Sequence, residues 1–366
     1  MRLTIPQPQL LKHLQTVERA VNDRSTLPIL ANVLLETTEE ELLFTATDLD
    51  IGIQCRFPLM QPVERGAVTL PARKLTTIIR ELPDEPVTIE TKKNHTATVT
   101  CGTTNFKLPG LPPEDFPALP TPQPAESITL PQATLKALID QTAYAMSTEE
   151  NRFILNGALF AAAKDQSSLV ATDGRRLAVA SAPMTTAPKQ PFRAVIPSKT
   201  IRELGRTLQD DPDDVTIAAL KDNQLTFQFG AVVIITRLLE GQFPPYEKVV
   251  PAPSKTAVTC NLQALWSAVR RANLMTTATS QAVVFEVDAD RLVISKETSE
   301  LGSVHEEVAA AYTGEPMTVA FNPSFWLEMF KTIATDEVTI ELSGPDRPAV
   351  VRRPGFTYVV LPMKVA

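Results

Sequence analysis

Two spacings recur along this chain. Apolar residues fall at every third or fourth position in Leu10, Leu14, Val17 and Val21 and again in Leu75, Ile78, Ile79 and Leu82, which predicts amphipathic helices with one buried stripe. Strict alternation, as in "VTIET" at Val87 and "EVTIEL" at Glu337, predicts strands with one covered face. The two patterns occur in a fixed order. "LTIPQPQLLKHLQTV" at Leu3, "ITLPQATLKALIDQT" at Ile128 and "VTCNLQALWSAVRRA" at Val258 each read as a short strand running into a helix. "FTATDLDIGIQC" at Phe44 returns 125 residues later as "LVATDGRRLAVA" at Leu169.

A repeat of this period defines the architecture. The proline-rich stretches "LPGLPPEDFPALPTP" at Leu108 and "EGQFPPYEKVVPAPS" at Glu240 occupy equivalent places and read as linkers. Three domains follow, with boundaries at 1–122, 123–252 and 253–366. Each is itself doubled, because "AVTLPARKLTTIIREL" at Ala67, "AVIPSKTIRELGRTL" at Ala194 and "TVAFNPSFWLEMFKTI" at Thr318 repeat the strand-then-helix opening. The expected fold is α+β, with a βαβββ unit used six times. A unit of about 60 residues buries a marginal core alone, so two halves should share one. Helices would then lie on one side and sheets outside.

Composition narrows the function. The chain has 366 residues, 43% hydrophobic and 21% charged, as expected of an ordinary globular protein. It contains no apolar run of membrane-spanning length, and its opening "MRLTIPQPQLLKHL" lacks the pattern of a secretory signal. A cytoplasmic location with no membrane partner is expected. Cys55, Cys101 and Cys260 are odd in number and widely spaced, which fits free buried thiols in a reducing compartment. The three histidines, His13, His95 and His305, have no ligand-spaced neighbour, so neither a metal nor any cofactor is expected. Glycine-rich phosphate loops and GxSxG are absent, so no catalytic residue is assigned. Asp48 with Asp50, Asp210 with Asp211 and Asp213 with Asp214 read as turn residues.

Charge is unevenly placed. The six helix windows hold 13 Lys plus Arg against 6 Asp plus Glu, a net of +7 on a chain whose total is −7. Lys199, Arg202 and Arg206 share one helix face, and Arg73 with Arg80 repeats that spacing. Basic helices inside an acidic shell suit a polyanion held through its phosphates without base readout. Six helices packed about 10 Å apart close a ring with a bore near 9 Å, too narrow for a duplex about 20 Å wide, whereas twelve leave about 28 Å. Two subunits would therefore make a ring that duplex DNA can pass through.

At this point specific segments carry a resemblance. "RSTLPIL" at Arg24, "FTATDLD", "LPARKL" at Leu70, "RFILNGALF" at Arg152, "VATDGRRLAVAS" at Val170, "EGQFPPYEKVVP" and the terminal "YVVLPMKVA" are similar, end to end, to the bacterial DNA polymerase III beta subunits, the sliding clamps. The resemblance implies a head-to-tail homodimeric ring around double-stranded DNA, placed there by an ATP-driven clamp loader. It implies no catalytic activity. The replicative polymerase and repair proteins would be tethered through short peptide motifs.

The resemblance also implies sites. A peptide-binding cleft would draw on Leu155, Thr172, Gly174, Arg175, Arg176, Leu177, Pro244, Val249, Asn322, Phe325, Leu361, Pro362 and Met363, which would give the apolar tail its purpose. Arg24 and Arg152 would face DNA beside the helix cations Arg73, Arg80, Lys199, Arg202 and Arg206. Glu149, Phe153 and Ile154 stand where the family's DNA-side loop often carries a glutamine and a tyrosine pair, and Glu149 would repel phosphate. The subunit contact would set Phe106 and Leu108 against the partner's Leu274. Lys74 and Lys107 would pair there with acids among Glu297, Glu300, Glu306 and Glu307. Two other classes stay open: a protein-binding scaffold that never meets DNA, and a nucleic-acid-modifying enzyme using "TDGRR".

Overall fold

Proline punctuates the starts of the helices. In the computed structural model, which describes residues 1–59, 64–120 and 127–364, strands ending at Pro6, Pro71, Pro131 and Pro197 run directly into helices. A proline there fixes φ for the turn and lacks the N–H that a helix start cannot satisfy. The six α-helices among the described residues are α1 (Gln7–Val17), α2 (Ala72–Glu81), α3 (Gln132–Thr142), α4 (Ser198–Thr207), α5 (Leu262–Asn273) and α6 (Pro323–Phe330). Asparagines cap the last two. Asn261 Oδ1 accepts from Ala264 N–H at 2.9 Å and Asn322 Oδ1 from Ser324 N–H at 3.0 Å.

The order of elements is strand, helix, three strands, six times over. The stripes predicted from spacing are buried: Leu10, Leu14, Val17 and Val21, and likewise Leu75, Ile78, Ile79 and Leu82. The α-helices are shorter than their windows. α1 stops at Val17, and Val21 is delivered by a 3-10 turn at Glu18–Ala20.

Halves interlock through their opening strands. Arg2–Pro6 pairs with Pro86–Thr91 of the second half, while Gly66–Pro71 pairs with Asn32–Thr37 of the first. The same exchange joins Ser127–Pro131 to Asp214–Leu220 and Phe192–Pro197 to Gly157–Ala163. Each sheet so formed draws strands from both halves.

By packing the chain divides into two compact units. One comprises Met1–Leu135, Met184–Lys189 and Glu203–Leu238, the other Lys136–Pro183, Gln190–Arg202 and Leu239–Ala366. The division runs through the middle third of the chain, while the expected boundary at 122/123 lies outside the described residues. The first unit holds a four-stranded and an eight-stranded sheet, and the second a twelve-stranded sheet. Each large sheet is continued across a repeat boundary by one antiparallel pair. Ile51–Pro58 joins Val232–Arg237 in the first unit, and Arg176–Pro183 joins Phe356–Val360 in the second. All three cysteines are buried and free. No helix among the described residues is long and apolar enough to cross a membrane.

Candidate functional site

The repeated "ATD" builds a turn from its own side chains. In the second copy Thr172 Oγ1 donates to Arg176 O at 2.5 Å, and Asp173 Oδ1 accepts from Arg175 and Arg176 N–H at 2.9 and 3.0 Å. Gly174 takes a left-handed φ of +84°. The first copy is closed in the same way, with Thr47 Oγ1 on Ile51 O at 2.9 Å, Asp48 Oδ1 accepting from Asp50 and Ile51 N–H at 3.0 and 2.8 Å, and Leu49 at φ +79°. Of the acidic residues read as turn formers, Asp48 has that role here and so does Asp211, whose Oδ1 accepts from Asp213 N–H at 2.8 Å. Asp214 instead opens the strand Asp214–Leu220 and accepts from Thr185 Oγ1 at 3.1 Å.

Beside the second turn lies an apolar cavity of about 290 Å³. Of the residues expected in a cleft, Leu155, Thr172, Gly174, Arg175, Arg176, Leu177, Pro244, Val249 and Leu361 line it. Its floor continues into a core cluster of Leu159, Val170, Leu177, Val195, Val350 and Val359. Pro245, Tyr246, Lys248 and Val359 also line it and were missed. Tyr246 and Lys248 arrive on a 3-10 turn that follows Pro244 and Pro245, and Val359 is the register partner of Leu177. The adjacent prolines were a readable signal for the first two; the register of Val359 had none. Val249 is 59% exposed at the rim.

Asn322 and Phe325 line a different cavity. It has about 550 Å³ and a polar wall that includes Tyr144, Ser147, Thr148, Glu149, Arg202 and Glu328, and it shares Arg175 and Arg176 with the first. Pro362 and Met363 line neither; Met363 N–H donates to Ala320 O at 2.7 Å, which stitches the tail to a neighbouring strand.

Between the two cavities stands Arg176, whose side chain is only 8% exposed. Its Nε donates to Asp173 Oδ2 at 3.1 Å, its Nη2 to Tyr144 O at 2.5 Å and its Nη1 to Glu328 Oε2. The Phe325 ring centre lies 4.4 Å from its Cζ. A buried guanidinium needs its donors met, and these groups engage one donor on each of its three nitrogens. Burial pushes the Tyr144 and Tyr358 hydroxyls well above their usual range, so both stay neutral, and Tyr358 donates to Phe325 O at 2.9 Å.

The expected DNA-side cations are placed unequally. Arg24, Arg73, Arg80, Arg202 and Arg206 are exposed and Lys199 is half-buried. Arg73 pairs with Asp23 at 2.7 Å and Arg206 with the buried Glu203 at 2.9 Å. Arg152 is turned onto the second turn, donating to Asp173 O and pairing with Glu149 at 3.1 Å. Glu149 also reaches Arg175 at 3.6 Å, so its charge is met by two arginines.

At the expected subunit contact, Phe106 and Leu274 are 36% and 72% exposed, but Leu108 is buried at 7%. Phe106 is therefore the apolar side chain that this strand can offer a partner. Lys74, Lys107, Glu297 and Glu300 are exposed. Glu306 is held by Arg271 through two bonds of 2.6 Å, which lowers the pKa of its carboxyl, and Glu307 meets Arg291 at 3.5 Å and His305 at 3.2 Å. Among the described residues no group of three or more His, Cys, Asp or Glu is placed to hold a metal ion.

Comparison with known proteins agrees along the whole chain. Family models described as the N-terminal, central and C-terminal domains of the DNA polymerase III beta subunit match residues 1–120, 129–245 and 247–364. The beta sliding clamps of Proteus mirabilis and Pseudomonas putida are 35% and 32% identical, with all of each chain covered. A crystal structure of the sliding clamp of Pseudomonas aeruginosa bound to griselimycin superposes with a TM-score of 0.95 at 32% identity, again covering 100% of both chains. Three consecutive matches on one continuous repeat place this chain in the DNA polymerase III beta subunit family, the beta sliding clamps.

Proposed function

We propose that this sliding clamp acts in the cytoplasm as a head-to-tail dimeric ring around duplex DNA and holds a polymerase, or another DNA-processing protein, by a short peptide seated in the apolar cavity. The observation that carries the reading is that cavity: about 290 Å³ with walls of Leu155, Leu177, Pro244, Val249 and Leu361. Its size and lining suit one or two apolar side chains of an extended peptide. Among the described residues its walls carry no paired general acid and base and no set of metal ligands, and Thr172 Oγ1 is tied to Arg176 O, which favours binding over catalysis. Arg24, Arg73, Arg80, Lys199, Arg202 and Arg206 supply phosphate contacts that are indifferent to sequence. Lys74, Phe106, Lys107 and Leu274, with Glu297 and Glu300, form the subunit contact.

The test is topological. Protein loaded onto nicked circular DNA by an ATP-driven clamp loader should stay bound through gel filtration in salt and fall off when the circle is linearised. Retention on linear DNA with free ends, or a clear base preference, would sink the encircling reading, and no retention on circles would favour a scaffold that never meets DNA.

A further inference from the structure

Arg176 borders both cavities, and its anchors differ in kind. Asp173 is fixed by the turn amides it accepts from, and Tyr144 contributes a main-chain carbonyl. Glu328 reaches the guanidinium as an anionic side chain of another element, α6. Phe325 lies three residues earlier on the same helix, so the two meet the guanidinium from one helix face. Phe325 covers its plane at 4.4 Å and Glu328 takes its edge.

The helix is itself pinned. Asn322 caps its first turn at 3.0 Å and Tyr358 donates to the Phe325 carbonyl at 2.9 Å. Glu328 is 41% exposed on the polar cavity, so it can be altered without opening the core. An arginine that loses one anionic partner in a buried setting seeks water or another acceptor. Released from Glu328, this one has the apolar cavity on its other side.

We infer that Glu328 is a positioning residue for the cleft: through the edge of Arg176 it fixes the wall that keeps the apolar cavity open to an apolar peptide side chain. This rests on the reading of that cavity as a peptide site. Glu328 touches no ligand in the apolar cavity, and its effect is carried wholly by Arg176.

The experiment is a double-mutant cycle on the full chain. A short fluorescent peptide bearing glutamine followed by leucine and phenylalanine is titrated against the wild type, E328A, R176A and the double variant. E328A should weaken binding about tenfold, with E328Q, which keeps an acceptor but not the charge, between it and the wild type. In the R176A background E328A should change affinity by less than about twofold. The Arg176 Nε–H resonance, sharp in the wild type, should broaden in E328A while the melting temperature stays close. Wild-type affinity in E328A, or the same tenfold loss without Arg176, overturns the assignment. A wild type that binds no peptide overturns the reading of the cavity itself and this assignment with it. Should E328A not fold, E328Q carries the same comparison.

Discussion

The guanidinium of Arg152 occupies the space that a β-carbon on Gly174 would need. The matching turn of the first repeat has almost the same backbone with Leu49 in that place, at φ +79° against +84°. The turn tolerates a side chain in this place at the cost of left-handed strain, as Leu49 shows, so the close approach of Arg152 is what sets Gly174 apart.

That asymmetry is measurable. Replacing Gly174 by Ala adds left-handed strain and dislodges Arg152 from the Asp173 carbonyl, at a cost of about 1–2 kcal/mol. Leu49→Gly relieves the same strain but frees the unfolded chain, so its net effect is about zero. Urea denaturation of both variants gives the answer, and equal responses at the two positions would refute the account.

His13 sets a pH dependence. Its ring stacks on Phe44 at 5.2 Å and meets Phe57 edge-on at 5.5 Å, and Nδ1–H donates to Gln9 O at 2.7 Å. Burial lowers its pKa below the ordinary 6.5, an effect that the Gln9 carbonyl only partly offsets. The unfolded chain then takes up the proton first, so stability is complete above the unfolded value and falls as pH drops through about 6.5, levelling off below the folded value. Denaturation midpoints between pH 7.5 and 5.5 should decline in the wild type and less steeply in His13→Gln. Parallel slopes would assign the loss to other groups.

Subunit contact should depend on Phe106 and Leu274, the exposed pair, and not on the buried Leu108. Phe106→Asp with Leu274→Asp should give a folded monomer by light scattering. Leu108→Asp should instead lower the melting temperature sharply, because it puts a charge at a buried site. A dimer that survives the first double change means that another surface makes the contact.

Leu361 lines the apolar cavity and is 44% exposed without a ligand. Covering such a side chain with a peptide contributes roughly 1–2 kcal/mol, so Leu361→Ala should weaken the peptide by about tenfold. Met363 lies outside the lining and is tied to Ala320, so Met363→Ala should change affinity less. Fluorescence anisotropy decides the order, and the reverse ranking would place the ligand elsewhere.

The elements themselves were legible because period and spacing are local properties. The stripe from Leu10 to Val17, the alternation in "VTIET" and the strand–proline–helix junctions each follow from side-chain direction within one segment. Six copies of one unit made the fold readable without any contact being known. The turn at Thr172 was also local, since Asp173 and Thr172 bond to amides and carbonyls within four residues. What the sequence could not determine is which segments meet over long separations. Val359 lies opposite Leu177, and Glu328 reaches Arg176 across 152 positions, only because one strand pair continues the sheet from the second repeat into the third. Spacing also placed Leu108 two residues after Phe106, on the same face of one strand, without telling which of them is covered. Tertiary packing decided that: it buries Leu108 and leaves Phe106 exposed, and what covers each end of a strand face is a property of the assembled fold.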